Sequence, residues 1–296
     1  MQKPTQRQDP PWTILNILRW TSDYFASHGI DSPRTAAEIL LADVLGVRRL
    51  DLYLRYDQPL HGEELRRFKE TIRRRVQREP VAYITGRSEF WSLPLSVSPA
   101  VLIPRPETEC LVEAALALIP EGTPHLILDP GTGSGVIALA LATERPFVRI
   151  LAIDTSTAAL DVAGRNIRYH GMEQRIQLLG GQWLEPLALG PPSFDMIVSN
   201  PPYIPSGDIP GLQPEVSRFE PRNALDGGAD GLAAIRRLVE AAYKYLKPKG
   251  CLLMEIGFDQ RAAVEAFVHS IDRYIDFTVH KDYSGLDRVV QMRRKD

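Results

Sequence analysis

Ser199-Asn200-Pro201-Pro202-Tyr203 follows directly on the run Phe194-Asp195-Met196-Ile197-Val198. A β-branched apolar run that stops at Pro-Pro reads as a buried strand ending in a stiff loop. Neither proline has a backbone N–H, so the loop offers carbonyl acceptors and few donors. Asn200 adds a side-chain carbonyl, and Tyr203 adds a flat aromatic face with a phenolic tip. A planar –NH2 group can lie against such a ring while both its hydrogens point at oxygens. The loop therefore suits chemistry on an amino or amide nitrogen. A plain Pro-Pro turn after a strand is the alternative, and the tetrapeptide alone leaves both open.

A second signal lies upstream. Leu126-Ile127-Leu128-Asp129-Pro130 runs into Gly131-Thr132-Gly133-Ser134-Gly135 and then into the helix-forming segment Val136 to Ala142. Glycines at 131, 133 and 135 let the backbone approach a ligand closely and adopt dihedrals that a side chain forbids. The next apolar run, Val148 to Ile153, ends at Asp154, 19 residues past Gly135. An acid there can accept hydrogen bonds from ribose hydroxyls. The glycine spacing is G-x-G-x-G, and Val136 stands where G-x-G-x-x-G needs its third glycine. With no pyrophosphate to cradle, a nucleoside carrying an amino acid fits better than a dinucleotide.

The elements that must position these loops alternate between strand and helix. Candidate strands are 126–129, 149–153, 176–179, 195–199 and 250–256, with helices between them, including Leu232 to Leu246. This pattern predicts an α/β fold, a doubly wound parallel sheet. Phe277 to His280 and Val289 to Met292 supply two final strands expected to pair antiparallel, which distinguishes the sheet from that of a nucleotide-binding dehydrogenase. Upstream, Ser88 to Pro99 alternates apolar and polar residues and predicts a β-hairpin, and Leu102-Ile103-Pro104-Arg105-Pro106-Glu107 reads as a stiff connector into a helix over Thr108 to Leu118.

Residues 11 to about 80 read as a helical bundle. Ser32-Pro33 has the form of an N-cap with proline at the first helical position, and Gly46 suits the stop. Ala37, Ile39, Leu40, Leu41, Val44 and Leu45 give one apolar face. Glu63 to Glu79 carries Leu65, Phe68, Ile72 and Val76 at three- and four-residue spacing, with Arg66, Arg67, Lys69, Arg73, Arg74, Arg75 and Arg78 on its other face. Such a face reads first as solvated and second as a docking surface. The domains expected are 1–80 (helical, substrate-docking), 81–105 (linker with the hairpin) and 106–296 (cofactor-binding).

The 296 residues carry 35 basic and 37 acidic side chains, a net charge of −2. That balance gives no general attraction to nucleic acid or an anionic membrane. Residues 1–80 hold 14 basic and 11 acidic groups, +3, which leaves −5 for residues 81–296. Cys110 and Cys251 lie far apart in apolar segments and read as buried thiols, not a disulfide framework. The polar start Met1-Gln2-Lys3-Pro4-Thr5-Gln6 does not read as a signal peptide, and Val136 to Ala142 is too short to span a bilayer, so a cytoplasmic protein is expected. The six histidines (28, 61, 125, 170, 269 and 280) show no metal-ligand spacing.

Asp129–Gly135, Asp154 and Asn200-Pro201-Pro202-Tyr203 together resemble the S-adenosylmethionine-dependent methyltransferases that modify planar nitrogens. Within that class the chain is similar to the release-factor glutamine N5-methyltransferases (HemK/PrmC). Three further stretches carry that likeness: Pro80 to Gly86, Leu102 to Glu109, and Glu220-Pro221-Arg222-Asn223-Ala224-Leu225-Asp226-Gly227-Gly228. The glycine and Asn-Pro-Pro-Tyr motifs are shared among several families, and these flanking stretches are more specific.

The resemblance implies a small N-terminal helical domain before a Rossmann-like methyltransferase sheet, and methyl transfer from S-adenosylmethionine, without a metal, to the glutamine of a Gly-Gly-Gln motif in peptide chain release factors. It implies a cofactor site of Gly131, Thr132, Gly133, Ser134, Gly135, Asp154, Trp183 and Asn200, and a catalytic loop of Asn200, Pro201, Pro202 and Tyr203. Arg105 and Glu107 would help to wall the site. Trp183 is open between adenine contact and core by spacing, and the resemblance favours adenine. Gln182 stands where the family usually has an acid, and Pro130 where it usually has leucine. Other readings are a nucleobase amino-methyltransferase, which lacks a basic channel; an NAD-linked oxidoreductase, which Val136 disfavours; and a non-catalytic docking module on the translation machinery.

Overall fold

The computed structural model describes residues 12–188 and 193–296; the polar start at Met1–Gln6 lies outside them. The chain divides into two compact units between Thr85 and Gly86.

Among the described residues the first unit is helical: α1 (Ile14–Ser27), α2 (Pro33–Leu45), α3 (Arg49–Leu54), α4 (Gly62–Val76) and α5 (Val81–Thr85). Phe25, Leu40, Leu41, Leu52 and Phe68 are buried together in its core. Helix α2 stops at Gly46 as its sequence predicts, with φ of +66°. Its start differs from expectation, because Ser32 is left-handed and makes no side-chain cap bond. Helix α4 ends at Val76, short of the expected Glu79. Arg78 takes the left-handed conformation (φ +74°) that glycine usually fills after a helix, and its Nη1 donates to the Gly29 carbonyl at 2.5 Å. The arginine face is largely occupied within the unit: Arg66, Arg73 and Arg74 pair with Glu63, Glu70 and Glu79. Arg75 departs from the expected solvated face, since it is buried and donates to the Glu79 carbonyl at 3.2 Å.

The second unit opens with the hairpin β1 (Arg87–Phe90) and β2 (Leu93–Ser96), paired antiparallel. Phe90 and Leu95 enter the core of this unit. A short 3₁₀ turn, Pro106–Thr108, leads into α6 (Glu109–Leu118). Then follow β3 (His125–Pro130), α7 (Val136–Glu144), β4 (Val148–Asp154), α8 (Thr157–Tyr169), β5 (Ile176–Gly180), β6 (Phe194–Ser199), α9 (Pro214–Phe219), α10 (Ala233–Ala242), β7 (Leu246–Glu255), α11 (Arg261–Ile271), β8 (Tyr274–Lys281) and β9 (Asp287–Arg294).

The seven-stranded sheet has the order β5-β4-β3-β6-β7-β9-β8. Strands β3 to β7 run parallel, and β9 joins β7 antiparallel with β8 antiparallel beside it. This is the expected doubly wound sheet with its antiparallel close. Successive residues serve opposite faces: Ile127, Ala152, Met196 and Val198 pack toward α6, α7 and α8, while Leu128, Ile153 and Ile197 pack toward α10 and α11. Helix α7 is buried from Val136 to Ala142, which is why its run is apolar all round. Cys110 and Cys251 are both buried and free.

The chain winds outward from β3 through β4 to β5, then returns to β6 on the other side of β3. Ligands of open α/β sheets bind outside the strand ends at such a reversal. Both motifs singled out in the sequence follow the two strands that flank it.

Candidate active site

Beyond the C-terminal ends of β3, β4 and β6 lies a cavity of about 570 Å³, within the usual size range of small-molecule sites. Gly131, Gly133, Asp154 and Trp183 line it on one side, and Asn200 and Pro202 on another. The sequence-predicted residues therefore converge, with exceptions. Pro201 is buried behind the wall, and neither it nor Tyr203 lines the cavity. Gly135 does not line it either. Its φ is +83°, and a Cβ there would meet the Ala163 Cβ at 3.4 Å, so it lets α7 pack on α8.

The glycine loop is held from beneath. The amides of Gly131 and Thr132 both donate to the Ile153 carbonyl, at 2.8 and 3.0 Å. Pro130, the last residue of β3, has no N–H to give. Its carbonyl accepts from Ser199 Oγ at 2.6 Å, which ties the ends of β3 and β6 together. Asp154 accepts from the Gly133 amide and the Ser156 amide, both at 2.9 Å. The carboxylate has about four acceptor positions, so it anchors the loop and still has capacity for a ligand. Asp129 is wholly buried below the loop; Oδ2 accepts from Thr132 Oγ1 at 2.6 Å, and Oδ1 has no partner. Burial, augmented by the nearby Asp154 charge and opposed by the Thr132 bond, pushes its carboxyl up to about 7.

Trp183 adopts φ of +50° and faces two ways. A Cβ on Gly131 would lie 3.4 Å from its ring, and the ring also packs against the α10–α11 core while lining the cavity. Gln182, where the resemblance expects an acid, is exposed at the same rim.

The Asn-Pro-Pro-Tyr loop rests on a buried carboxylate that the sequence did not signal. Glu255, at the end of β7, is 1% exposed. Its Oε2 accepts from Thr108 Oγ1 at 2.7 Å and its Oε1 from the Tyr203 hydroxyl at 3.0 Å. Thr108 Oγ1 in turn accepts from Asn200 Nδ2 at 3.1 Å. Burial raises the Glu255 carboxyl, against the two hydrogen bonds, and burial and then the Glu255 charge raise the Tyr203 phenol. The phenolic tip of Tyr203 therefore serves the scaffold. The Tyr203 carbonyl accepts from Gln260 Nε2 at 2.8 Å. Gly231 lies against the same carbonyl: a Cβ there would come within 2.3 Å of it.

Two of the flanking stretches meet. Arg105 Nη2 binds Glu220 Oε1 at 2.5 Å, and the Ile103 amide donates to Glu220 Oε2 at 3.3 Å. Burial raises the Glu220 carboxyl, and Arg105 opposes the rise. Arg105 lines the cavity; Glu107, the other residue expected in the wall, is exposed outside it. Asp226 fixes the far end of the second stretch, accepting from Ser206 Oγ at 2.5 Å and the Gly228 amide at 3.0 Å. Asn166, buried on α8, bonds both backbone groups of Ser96 and the Ser134 carbonyl, at 2.8 to 3.0 Å. Among the described residues no cluster of three or more His, Cys, Asp or Glu side chains is placed to hold a metal, and no helix is long and apolar enough to cross a membrane.

Residues 16–86 match the family description PrmC N-terminal domain, and residues 108–209 match the methyltransferase small domain. The release factor glutamine methyltransferase of Geobacter sulfurreducens is 44% identical over 279 residues, covering 94% of this chain and 96% of that protein. The chain belongs to the release factor glutamine methyltransferase family. The member from Salmonella typhimurium is 46% identical over 259 residues, 88% of this chain and 91% of the relative. A methyltransferase structure from Pyrococcus furiosus, 19% identical, superposes with a TM-score of 0.50 over 69% of this chain and 90% of that one, a likeness of fold. As a member of the release factor glutamine methyltransferases, the chain brings the glycine loop, Asp154 and the Asn-Pro-Pro-Tyr loop to one cavity.

Proposed function

We propose that this chain transfers a methyl group from S-adenosylmethionine to the side-chain amide nitrogen (N5) of the glutamine in the Gly-Gly-Gln motif of peptide chain release factors. The observation that carries the reading is the polarity of Asn200. Its Nδ2 donates to Thr108 and is thereby turned inward, which leaves Oδ1 as an acceptor at the cavity wall.

The cavity residues fit the cofactor. Gly133 is left-handed (φ +57°) and lines the cavity, and a Cβ there would project into open space, so its backbone is bare toward the cavity. The acid at Asp154, which lines the cavity, gives a polar anchor. Gly131 to Ser134 would hold the amino-acid part, Asp154 the ribose and Trp183 the adenine. S-adenosylmethionine, when bound, supplies a methyl group activated by a sulfonium.

The chain's own contribution is orientation. An amide nitrogen is a poor nucleophile because its lone pair is delocalised into the carbonyl. Asn200 Oδ1 accepts one N–H, which opposes that delocalisation; the Pro201 carbonyl, expected from the sequence to accept the other, belongs to a residue set back from the cavity wall. Alignment of this kind is worth on the order of 7–11 kcal/mol of barrier. An N-protonated amide is strongly acidic, so its proton passes to water and no general base is required. Glu255 does not line the cavity and is no such base. We assign docking of the folded partner to the N-terminal helical unit.

The test offers labelled S-adenosylmethionine with an intact release factor, a short peptide around its Gly-Gly-Gln loop, duplex DNA and ribosomal RNA. Strong transfer to the intact factor, weak transfer to the peptide and none to nucleic acid is expected, with one methyl placed on the glutamine by mass spectrometry. Label in DNA or RNA with the factor untouched overturns the reading in favour of nucleobase methylation.

Asp154→Ala removes a ribose acceptor, the bond that anchors the glycine loop at Gly133 and the bond to the Ser156 amide. Losing a hydrogen bond to a charged group costs about 1.5–3 kcal/mol, so cofactor affinity by calorimetry is expected to fall at least about 10-fold. Unchanged affinity in a folded variant removes Asp154 from the cofactor site.

A further inference from the structure

We infer that Glu255, acting through Thr108, fixes the polarity of the Asn200 amide and so is a positioning residue for the acceptor nitrogen. The inference rests on the methyl-transfer reading above. Both Glu255 oxygens act as acceptors, Oε2 from Thr108 Oγ1 at 2.7 Å and Oε1 from the Tyr203 hydroxyl at 3.0 Å, and a hydroxyl has a single hydrogen to give. The Thr108 hydroxyl must therefore spend its one hydrogen on Glu255. What remains on Thr108 toward the cavity is a lone pair, and only the –NH2 side of Asn200 can satisfy it, as the 3.1 Å contact from Nδ2 shows. The two ends of a carboxamide are nearly the same size, so packing alone discriminates them weakly. Hydrogen-bond direction discriminates them fully. With Nδ2 turned inward, Oδ1 is the end available to an incoming amide N–H; with the amide reversed, the acceptor would meet two N–H donors and be repelled.

The arrangement also explains why a buried acid sits behind a loop that has no use for a base. Glu255 is 1% exposed and Thr108 2% exposed, so neither acid nor hydroxyl is freely exchanging partners with water. The same carboxylate holds Tyr203, three residues along the loop, and so fixes the loop at both ends. Nothing in the local sequence marks the pair: Thr108 and Glu255 are 147 residues apart.

Glu255→Gln tests this with almost no change in volume. The Gln Nε2 must face one of the two hydroxyls. Facing Thr108, it donates, and the Thr108 hydrogen is released toward Asn200, which favours the reversed amide. A fall in kcat on the order of 100-fold is expected, as for a misplaced reacting group, with cofactor affinity unchanged and little change in KM for the release factor. Thr108→Val, which removes the relay without altering Glu255, is expected to lower kcat about 10-fold, and Thr108→Ser to restore it. In an Asn200→Asp background, whose carboxylate has no polarity to reverse, Thr108→Val is expected to change kcat less than about twofold. Wild-type kcat in both Glu255→Gln and Thr108→Val overturns the inference, as do losses that track cofactor affinity or melting temperature, or a Thr108→Ser variant no better than the valine. Absence of transfer by the wild-type chain itself would instead overturn the methyl-transfer reading.

Discussion

Asn200→Ala is expected to lower kcat by about 100- to 1,000-fold, the usual loss when one preorganised hydrogen-bonding group aimed at developing charge is removed. Cofactor affinity should change far less. The side chain lines the cavity and, among the described residues, bonds to Thr108, so truncation leaves the glycine loop and Asp154 in place. Asn200→Asp keeps an acceptor oxygen toward the substrate, yet it loses the donor that Thr108 receives and adds a charge near Glu255. Partial activity is therefore expected, between that of alanine and wild type. Single-turnover transfer to intact release factor, with calorimetric titration of S-adenosylmethionine on the same preparations, separates the two effects. Wild-type turnover by the alanine variant would remove Asn200 from the mechanism.

A comparable loss is expected from a residue that never reaches the cavity. Gly231→Ala places a Cβ within 2.3 Å of the Tyr203 carbonyl and 2.6 Å of Gln260 Nε2, at a φ of +75°. Overpacking costs about 1–3 kcal/mol, and the left-handed backbone adds about 1–2 kcal/mol for a residue with a side chain. The relief available is to push the Tyr203 carbonyl away and break its bond to Gln260, and that carbonyl belongs to the Asn-Pro-Pro-Tyr loop. Melting temperature and kcat should fall together, with kcat down on the order of 100-fold because a displacement of about 1 Å suffices for that. A folded variant of unchanged kcat would show that the loop holds its shape without this anchor.

The alternation of strand and helix after residue 125 was legible because each buried strand is a short apolar run with a turn signal at its end. Strand β7 was read four residues late, since Lys247-Pro248-Lys249-Gly250 has the composition of a turn. In the structure Lys249 is left-handed there, and the pairing with β6 shifts register between Phe194 and Met196. Helix α10 was read too long because Tyr243-Lys244-Tyr245 continues its apolar spacing, although the helix ends at Ala242. In the site, the glycine loop, Asp154 and Asn200 were legible because each motif is contiguous and sits at a strand end. Thr108, Glu255, Gln260 and Asn166 were not. Each is an ordinary polar residue in its own neighbourhood, and only the fold joins it to a partner far away in the chain. Trp183 shows a third case: core and cavity are alternatives by spacing, and the residue both packs against the α10–α11 core and lines the cavity.

Asn166 has a consequence for where this protein can be cut and recombined. Its amide donates to Ser96 and Ser134 and accepts from Ser96, so one buried side chain spans the hairpin and the glycine loop. Aspartate lacks the donor, and glutamine would add a methylene to a side chain that is buried. The hairpin is thus no disposable tether. A gene fragment that begins at the helix before β3 would remove both Ser96 partners of this amide and leave it the Ser134 carbonyl alone of the three. The smallest transplantable cassette for this chemistry starts at Gly86, and an exchange of N-terminal units between relatives has its natural seam at the same place, between Thr85 and Gly86, where the two compact units divide.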